Sequence, residues 1–180
     1  RSLYGDQLER VTFFNPREPS LFGSDIPIDT KILIDLYEDS DEVSKGHRIG
    51  CIDIETDSEG GFPSVEKGDK EITAIALYDY VSGKYIAFLL DKEKRVNTNN
   101  IDGVEVISSD NEYNLLSKFL NKWNELGFTI VTGWNIDGFD MPYLYNRISN
   151  LMGKDHAKRL SPIDICYIND WSKRLIIAGI

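Results

Sequence analysis

The sequence has little positive charge and few cysteines. Its 180 residues include 20 Lys and Arg against 30 Asp and Glu, which gives a formal net charge of -10. A protein this acidic is not expected to bind duplex nucleic acid by neutralising many phosphates, so any contact with nucleic acid should be local or mediated by metal ions. Two cysteines, Cys51 and Cys166, are too few for a disulfide framework and favour a reducing compartment.

Long apolar runs and a signal peptide are also missing. No stretch reaches about 18 consecutive apolar residues, the length that indicates a membrane span, and the start of the chain has no secretory pattern. The sequence therefore predicts a soluble, cytoplasmic protein with no membrane partner. The chain begins at Arg1 without an initiator Met and ends in RLIIAGI (174–180), an apolar run that predicts a strand, so we expect a piece of a longer polypeptide.

A regular β pattern begins near residue 47. Apolar, β-rich runs at 48–54, 71–80 and 84–90 predict three strands. Ser82-Gly83 predicts a hairpin turn between the second and third of these strands.

The first 44 residues differ from the rest. Residues 1–44 contain two closely spaced prolines, an acidic loop and one apolar run, KILIDLY at 31–37, that predicts a strand. We expect this segment to flank or link a domain that is formed by residues 45–180.

Apolar residues at helical spacing predict a helix within residues 108–127. Ser109 and Glu112 have the spacing of a capping box, and Gly127 is placed to end the helix. A short strand, FTIVTGW at 128–134, is predicted to follow as a buried strand.

A second helix is predicted from about Met141 to Met152. Asp140 is a candidate N-cap, Pro142 is tolerated in the first turn, and Gly153 is placed to end the helix. Its predicted apolar face consists of Met141, Leu144, Tyr145, Ile148 and Leu151. Three strands, a helix, a strand and a helix predict a mixed α/β domain.

Two carboxylates, Asp53 and Glu55, interrupt the first apolar strand. Because alternate side chains of a strand share a face, both point the same way at the carboxyl end of the strand, where ligands bind in open α/β sheets. Two residues span roughly 6.6 Å of strand, so both carboxylates can reach one hard cation or a pair of them, such as Mg²⁺ or Mn²⁺. The plainer alternative is that they solvate the strand where it enters a polar loop.

A second acidic motif, NIDGFD at 135–140, follows the strand at 128–134. Asp140 is either a helix N-cap or a third carboxylate of the same site, and both readings are open. If the strand at 128–134 lies beside the first strand, Asp53, Glu55 and Asp140 converge in one crevice.

DIET (53–56) followed by NIDGFD (135–140) resembles the Exo I and Exo II motifs of the 3′–5′ exonuclease domain of family B DNA polymerases. The stretches EGGFP, TGWNIDGFDMPYLYNRI, AKRLSP and IIAGI are similar to those of T-even-type bacteriophage polymerases, so the resemblance covers about residues 45–180. Residues 1–44 resemble the segment that links the N-terminal domain to the exonuclease. The resemblance implies a ribonuclease H-like α/β fold, with a central mixed sheet flanked by helices and truncated at the C-terminus.

The resemblance also implies a chemistry and partners. In the family, two divalent ions, Mg²⁺ or Mn²⁺, are held by four acidic residues and hydrolyse the 3′-terminal nucleotides of single-stranded or mispaired DNA. Asp53, Glu55 and Asp140 match three of those four. The implied partners are the frayed 3′ end of a primer and the rest of the polymerase polypeptide, in the host cytoplasm if a phage encodes it.

Four further residues are implied as substrate-binding. Phe62 in EGGFP is a candidate stacking surface for unpaired bases, and Asn135 a contact or brace for the substrate strand. Thr56 could meet the terminal nucleotide and Phe139 lies beside Asp140. The last three have plainer alternatives, because Asn135 could be only a turn residue, Thr56 only a strand end and Phe139 only core packing. Arg147, on the second helix, is expected to lie on a solvated face.

The fourth acid of the family belongs to a Tyr-x-x-x-Asp motif, which is not found after the second motif. Tyr167 and Asp170 are one residue too close, and the spacing of Tyr37 and Asp41 is correct but precedes the first motif. We therefore expect this chain alone to be weakly active or inactive. The alternative function is a noncatalytic scaffold or single-strand-binding module of the same fold.

Overall fold

The computed structural model describes residues 7, 27–40, 45–96 and 103–180. The chain divides into two compact units, residues 1–45 and 46–180. Most of the first unit, and so most of the predicted flanking segment, lies outside the described residues. No helix in the described part has the length and apolar character needed to cross a membrane.

The strand predicted at 31–37 is wrong, because these residues belong to helix α1 (Ile28–Tyr37). Pro27 precedes the helix, and Lys31 Nζ lies 3.1 Å from Asp35 Oδ1, one helical turn away. A short apolar run fits a strand or a helix equally well from periodicity alone, and a partner strand decides. Among the described residues no strand pairs with this segment.

The second unit is built on a five-stranded mixed sheet with the order β4-β3-β2-β1-β5. Its strands are β1 (Ile49–Thr56), β2 (Ile72–Asp79), β3 (Lys84–Leu90), β4 (Val104–Ser109) and β5 (Ile130–Thr132). β2 is antiparallel to both β1 and β3, while β3 pairs with β4, and β1 with β5, in parallel. The three strands predicted before the first helix are confirmed, and β4 was not predicted.

Helices α2 (Glu112–Leu126) and α3 (Asp140–Met152) cover one face of this sheet. Their apolar stripes meet the inward-facing strand residues in one core, in which Phe88, Phe119, Tyr143 and Leu144 are fully buried. A short helix, α4 (Lys154–Lys158), follows, and then a hairpin of β6 (Cys166–Ile168) and β7 (Leu175–Ile177). The strand predicted within 174–180 is thus confirmed.

The predicted turns and helix ends are largely correct. Gly83 closes the β2–β3 hairpin at a φ of 67°, and its N–H donates to Asp79 O at 2.8 Å. Gly127 ends α2 in the left-handed conformation, as predicted. The capping box is wrong, because Asn111 is the N-cap of α2 and its side chain accepts from Asn114 N at 2.9 Å.

Two predictions around α3 also need correction. The strand predicted at 128–134 shrinks to the three residues of β5, which lies at the sheet edge with Ile130 40% exposed. On α3, Leu151 is 40% exposed rather than on the apolar face, whereas Tyr143 is fully buried.

Arg147 does not lie on a solvated face. Its Nε and Nη2 donate to Glu112 Oε1 and Oε2 at 2.8 and 2.6 Å, which joins α3 to the first turn of α2. Glu112 Oε1 also accepts from Ile72 N at 2.8 Å, so β2 enters the same network. The hydrogen bonds to Glu112 raise the pKa of Arg147.

This network predicts a large effect on stability. Replacement of Arg147 by Met leaves the Glu112 carboxylate buried without its counter-charge, so Arg147→Met is expected to lower the free energy of unfolding by about 3–5 kcal/mol. Urea unfolding followed by circular dichroism measures the change. The matched control is Lys158→Met, which breaks the exposed Lys158–Asp155 pair on α4 and should have a much smaller effect. Equal effects of the two substitutions would contradict the prediction.

Candidate active site

Asp53 and Glu55 lie on the open face of strand β1. Side chains along β1 alternate, so that Ile52 and Ile54 are 1% and 6% exposed in the core while Asp53 and Glu55 are exposed on the opposite face. Their cross-strand neighbours on β2 are both alanines. The two carboxylates therefore stand together above small side chains at the carboxyl end of β1, on the face that the sequence predicts.

Asp140 reaches the same part of β1 from helix α3. It is the first residue of the helix, only 3% exposed, and its Oδ1 accepts a hydrogen bond from Ile54 N at 3.1 Å. Ile54 is the residue between the two exposed carboxylates. Asp140 is thus not the N-cap, which is Phe139, and it is joined to the strand that carries Asp53 and Glu55.

The short length of β5 explains why Ile54 is free to make this bond. β5 pairs with Ile49 to Cys51 of β1 and ends there, so the sheet provides no ladder partner on that side of Ile54. A buried backbone N–H requires an acceptor, and the Asp140 carboxylate provides it. The Asp140 carboxylate therefore accepts the hydrogen bond that a backbone carbonyl of a longer β5 would have accepted from Ile54 N.

Burial of Asp140 without a positive partner perturbs its charge state. Burial raises the pKa of Asp140, and the negative charges of Asp53 and Glu55 raise it further, while the hydrogen bond from Ile54 N opposes both. Among the described residues, the charges that act on this carboxyl are those of Asp53 and Glu55, which have its own sign. The region has an excess of negative charge that a bound cation would relieve.

The donors are the oxygen ligands that Mg²⁺ and Mn²⁺ prefer. Within the described ranges, no three His, Cys, Asp or Glu side chains are arranged to hold one metal ion. Asp53 and Glu55 are exposed, so their side chains can change rotamer without disturbing the core. The carboxylates of Asp53, Glu55 and Asp140 are chemically suited to a hard divalent cation. Asp140 is the one that is held in place by a hydrogen bond to β1.

The segment between β5 and α3 is a tight turn centred on Asn135. Asn135 has a φ of 53°, and its carbonyl accepts from both Gly138 N and Phe139 N at 2.9 Å. A Cβ on Gly138 would lie 2.3 Å from Asn135 Oδ1, so any larger residue at 138 would displace that side chain. Asn135 is therefore a turn residue, and its contact with substrate stays a prediction. Trp134, which was not predicted to matter, is 91% exposed next to this turn.

Phe62, which lies outside the two motifs, and Phe139 of the second motif meet beside Asp140. Phe62 is 85% exposed, and its ring centroid lies 5.9 Å from that of the partly buried Phe139. Phe139 in turn stacks on Tyr143 at 5.3 Å. Tyr143 was not among the predicted site residues, although its position three residues after Asp140 places it on the same side of the helix. Thr56 is the partly buried last residue of β1.

A cleft of about 740 Å³ lies on the other side of the turn, along β5. Its walls include Ile136, Met141, Arg174 and Ile177, and neither Asp53, Glu55 nor Asp140 lines it. The exposed carboxylates of Asp53 and Glu55 therefore lie on an open surface rather than in this cleft.

Comparison with known proteins agrees with this geometry. The family described as DNA polymerase family B, exonuclease domain, matches residues 17–174. The DNA-directed DNA polymerase of Escherichia phage RB69 is 32% identical over an alignment of 195 positions, which covers 89% of this chain and 21% of that protein. The corresponding protein of Enterobacteria phage T4 is 31% identical over 163 positions, or 79% of this chain and 16% of its own length.

A solved structure supports the fold. The family B DNA polymerase of the hyperthermophilic archaeon Pyrobaculum calidifontis matches 78% of this chain and 15% of its own chain, with a TM-score of 0.56 and 17% identity. The predicted ribonuclease H-like α/β fold, with a central mixed sheet flanked by helices, is thereby confirmed. This chain spans about a fifth or less of the length of these relatives. From the family match over residues 17–174 and from both phage relatives, this chain belongs to the exonuclease domain family of family B DNA polymerases.

Proposed function

We propose that this chain is the proofreading 3′–5′ exonuclease domain of a larger replicative polymerase, and that it removes 3′-terminal nucleotides from single-stranded or mispaired primer ends. The observation that carries the proposal is the hydrogen bond of 3.1 Å between Ile54 N and Asp140, which brings the carboxylate of the second motif to the strand segment that holds Asp53 and Glu55. The domain would comprise residues 45–180, with residues 1–44 as its N-terminal flank.

In this proposal Asp53, Glu55 and Asp140 hold divalent metal ions, Mg²⁺ or Mn²⁺. Such ions, when bound, supply hydroxide near neutral pH and stabilise the leaving 3′ oxygen. The three carboxylates act as ligands and not as proton shuttles. Asp140 is held in place by β1, while Asp53 and Glu55 are exposed and can adjust to the ions and to the phosphate.

The substrate would be held largely by contacts that do not depend on sequence. Phe62 is proposed to stack on the unpaired terminal base, an interaction worth about 1–3 kcal/mol for an aromatic ring. Its high exposure and its support by Phe139 favour this role. Thr56, at the end of β1, and Asn135, exposed in the turn, are proposed to contact the terminal nucleotide and its strand.

A second candidate is a noncatalytic module that binds single strands through the same surface. It is favoured by the lack of an assembled metal-holding group in the part of the chain that the structure describes. The sequence also has three of the family's four acids, so we propose that this chain by itself is a weak or inactive nuclease.

Metal binding separates the two candidates. Asp140→Ala should weaken Mn²⁺ binding to the 180-residue chain by at least about tenfold, since even outer-shell partners of a metal contribute that much. Titration with Mn²⁺, followed by electron paramagnetic resonance in the presence of a single-stranded oligonucleotide, measures the change. Asp155→Ala removes an exposed carboxylate on α4 and serves as the control, with no expected effect. If the wild-type chain and Asp140→Ala bind Mn²⁺ equally, the noncatalytic candidate is correct.

Stability provides a second test, because a carboxylate kept for metal binding should destabilise the metal-free fold. Asp140→Asn removes the buried charge and keeps an acceptor for Ile54 N. It should raise the free energy of unfolding at pH 7 by on the order of 1 kcal/mol, a usual size for a single substitution, while it removes metal binding.

The control is Asp79→Asn, at a buried aspartate whose pKa is lowered, whereas that of Asp140 is raised. Burial raises the pKa of Asp79, but hydrogen bonds from Arg48, Ser82 and Val81 N outweigh burial and lower it overall. A lowered pKa means that the ionised form stabilises the fold, so Asp79→Asn should reduce the free energy of unfolding at pH 7. Urea unfolding in the presence of EDTA measures both variants, and destabilisation by both would contradict the prediction.

A further inference from the structure

Helix α3 carries a polar stripe in addition to its apolar face. Tyr143, Asn146, Arg147 and Asn150 follow an i, i+3, i+4, i+7 pattern and therefore share one side of the helix. All four side chains face the β1–β2 loop, which is residues 57–71, and donate to its backbone. We call these four residues the docking stripe.

Each member of the docking stripe binds a different carbonyl of the loop. Tyr143 Oη donates to Lys70 O and accepts from Lys70 N, both at 2.8 Å. The other three donate to backbone oxygens, Asn146 Nδ2 to Val65 O at 2.8 Å, Arg147 Nη1 to Gly68 O at 3.0 Å and Asn150 Nδ2 to Lys67 O at 2.6 Å. The helix thus fixes the loop through its main chain.

The loop approaches the helix so closely that one position must be glycine. Gly68 has a φ of 52°, and a Cβ there would lie 2.8 Å from Arg147 N. Within the loop, Gly68 N donates to Ser64 O at 2.9 Å and Ser64 N to Asp69 Oδ1 at 3.0 Å, so the docked part is itself a compact turn. A loop of this length without regular structure is uncommon unless it has a function.

Tyr143 connects the docked part of the loop with Phe62. Lys70, which Tyr143 holds, donates from Nζ to Glu59 O at 2.6 Å and so ties the two arms of the loop together. The ring of Tyr143 stacks on Phe139, and Phe139 contacts Phe62. Two separate chains of contacts therefore run from Tyr143 to the arm of the loop that carries the exposed Phe62.

We propose that Tyr143 and Asn150 are positioning residues for the substrate, which hold the β1–β2 loop so that Phe62 forms a preformed stacking surface beside Asp140. This inference rests on the proposed function and deepens it. A docked loop binds the unpaired 3′ end without first losing conformational freedom, so release of the loop should weaken DNA binding. The hydrogen bonds of the docking stripe to the loop do not involve Asp53, Glu55 or Asp140, so the affinity for metal should not change.

The test uses the 180-residue chain and a single-stranded oligonucleotide with 2-aminopurine at its 3′ end, in Ca²⁺. Tyr143→Phe removes both hydrogen bonds to Lys70 and keeps the ring, and should raise the Kd for the oligonucleotide on the order of fivefold and reduce the quenching of the terminal base by stacking. Hydrogen exchange of the amides in residues 57–71 should become faster, while that of β1 and the Mn²⁺ affinity stay as in the wild type.

Two further variants provide a second test and a control. Asn150 is exposed, so Asn150→Ala should leave the fold intact and still release Lys67 O, with the same direction of change as Tyr143→Phe. Tyr145→Phe is the matched control, because Tyr145 is a second buried tyrosine of α3 and makes no hydrogen bond to the loop among the described residues. It should leave DNA binding and loop exchange unchanged.

The outcomes distinguish this inference from the proposed function. A wild-type chain that binds the oligonucleotide, with Tyr143→Phe and Asn150→Ala binding equally well, overturns the inference alone. The same holds if the loop exchanges faster in both variants while quenching of the terminal base is unchanged. A wild-type chain that does not bind the oligonucleotide overturns the proposed function and the inference with it.

Discussion

The hydrogen bond between Ile54 N and Asp140 fixes helix α3 against the sheet, and the site depends on it. The bond exists because β5 ends at Thr132 and leaves the edge of β1 open beyond that point. The chain can then turn from strand to helix in a few residues, since Gly133 has no side chain and a Cβ there would lie 2.5 Å from Ile52 O. Three features therefore act together to place α3 over the carboxyl end of β1. They are the short strand β5, Gly133 after it, and Asp140 at the first helical residue.

Beginning at Asp140, helix α3 contacts a different element of the fold about once per turn. Asp140 contacts β1, Tyr143 binds the β1–β2 loop one turn later, and Arg147 pairs with Glu112 of α2 after a further turn. The two charged contacts differ in kind. The charge of Glu112 is neutralised by a guanidinium in bidentate geometry, whereas Asp140 is buried among charges of its own sign. The fold neutralises the charge that serves structure and leaves unbalanced the one that is proposed to bind metal.

Structural features that depend on a local pattern are predicted correctly from the sequence. Features that depend on a contact with a residue distant in sequence are not. Alternation along β1 places both of its carboxylates on the open face, and helical spacing finds α2 and α3 to within a few residues. The capping box fails because Glu112 is engaged by Arg147, 35 positions away, rather than by its own helix. The contact of Asp140 with Ile54 spans 86 positions, so the local sequence of residue 140 predicts a cap equally well. The grouping of Asp140 with Asp53 and Glu55 rests instead on the resemblance of the two motifs to the exonuclease family.

The net charge of -10 constrains how such a site can hold DNA. Long-range attraction between an acidic domain and a phosphate backbone is unfavourable, so binding through this surface must come from short-range contacts. Two kinds are available in the proposed site, a dication between carboxylates and phosphate, and an aromatic ring against a base. Direct coordination of the phosphate by the dication and stacking of the ring on the base both require contact, so both are lost if the groups are displaced. In the proposed function, accurate placement would therefore substitute for charge, and the docking of the β1–β2 loop on Tyr143 would do what a more basic domain could leave to electrostatics.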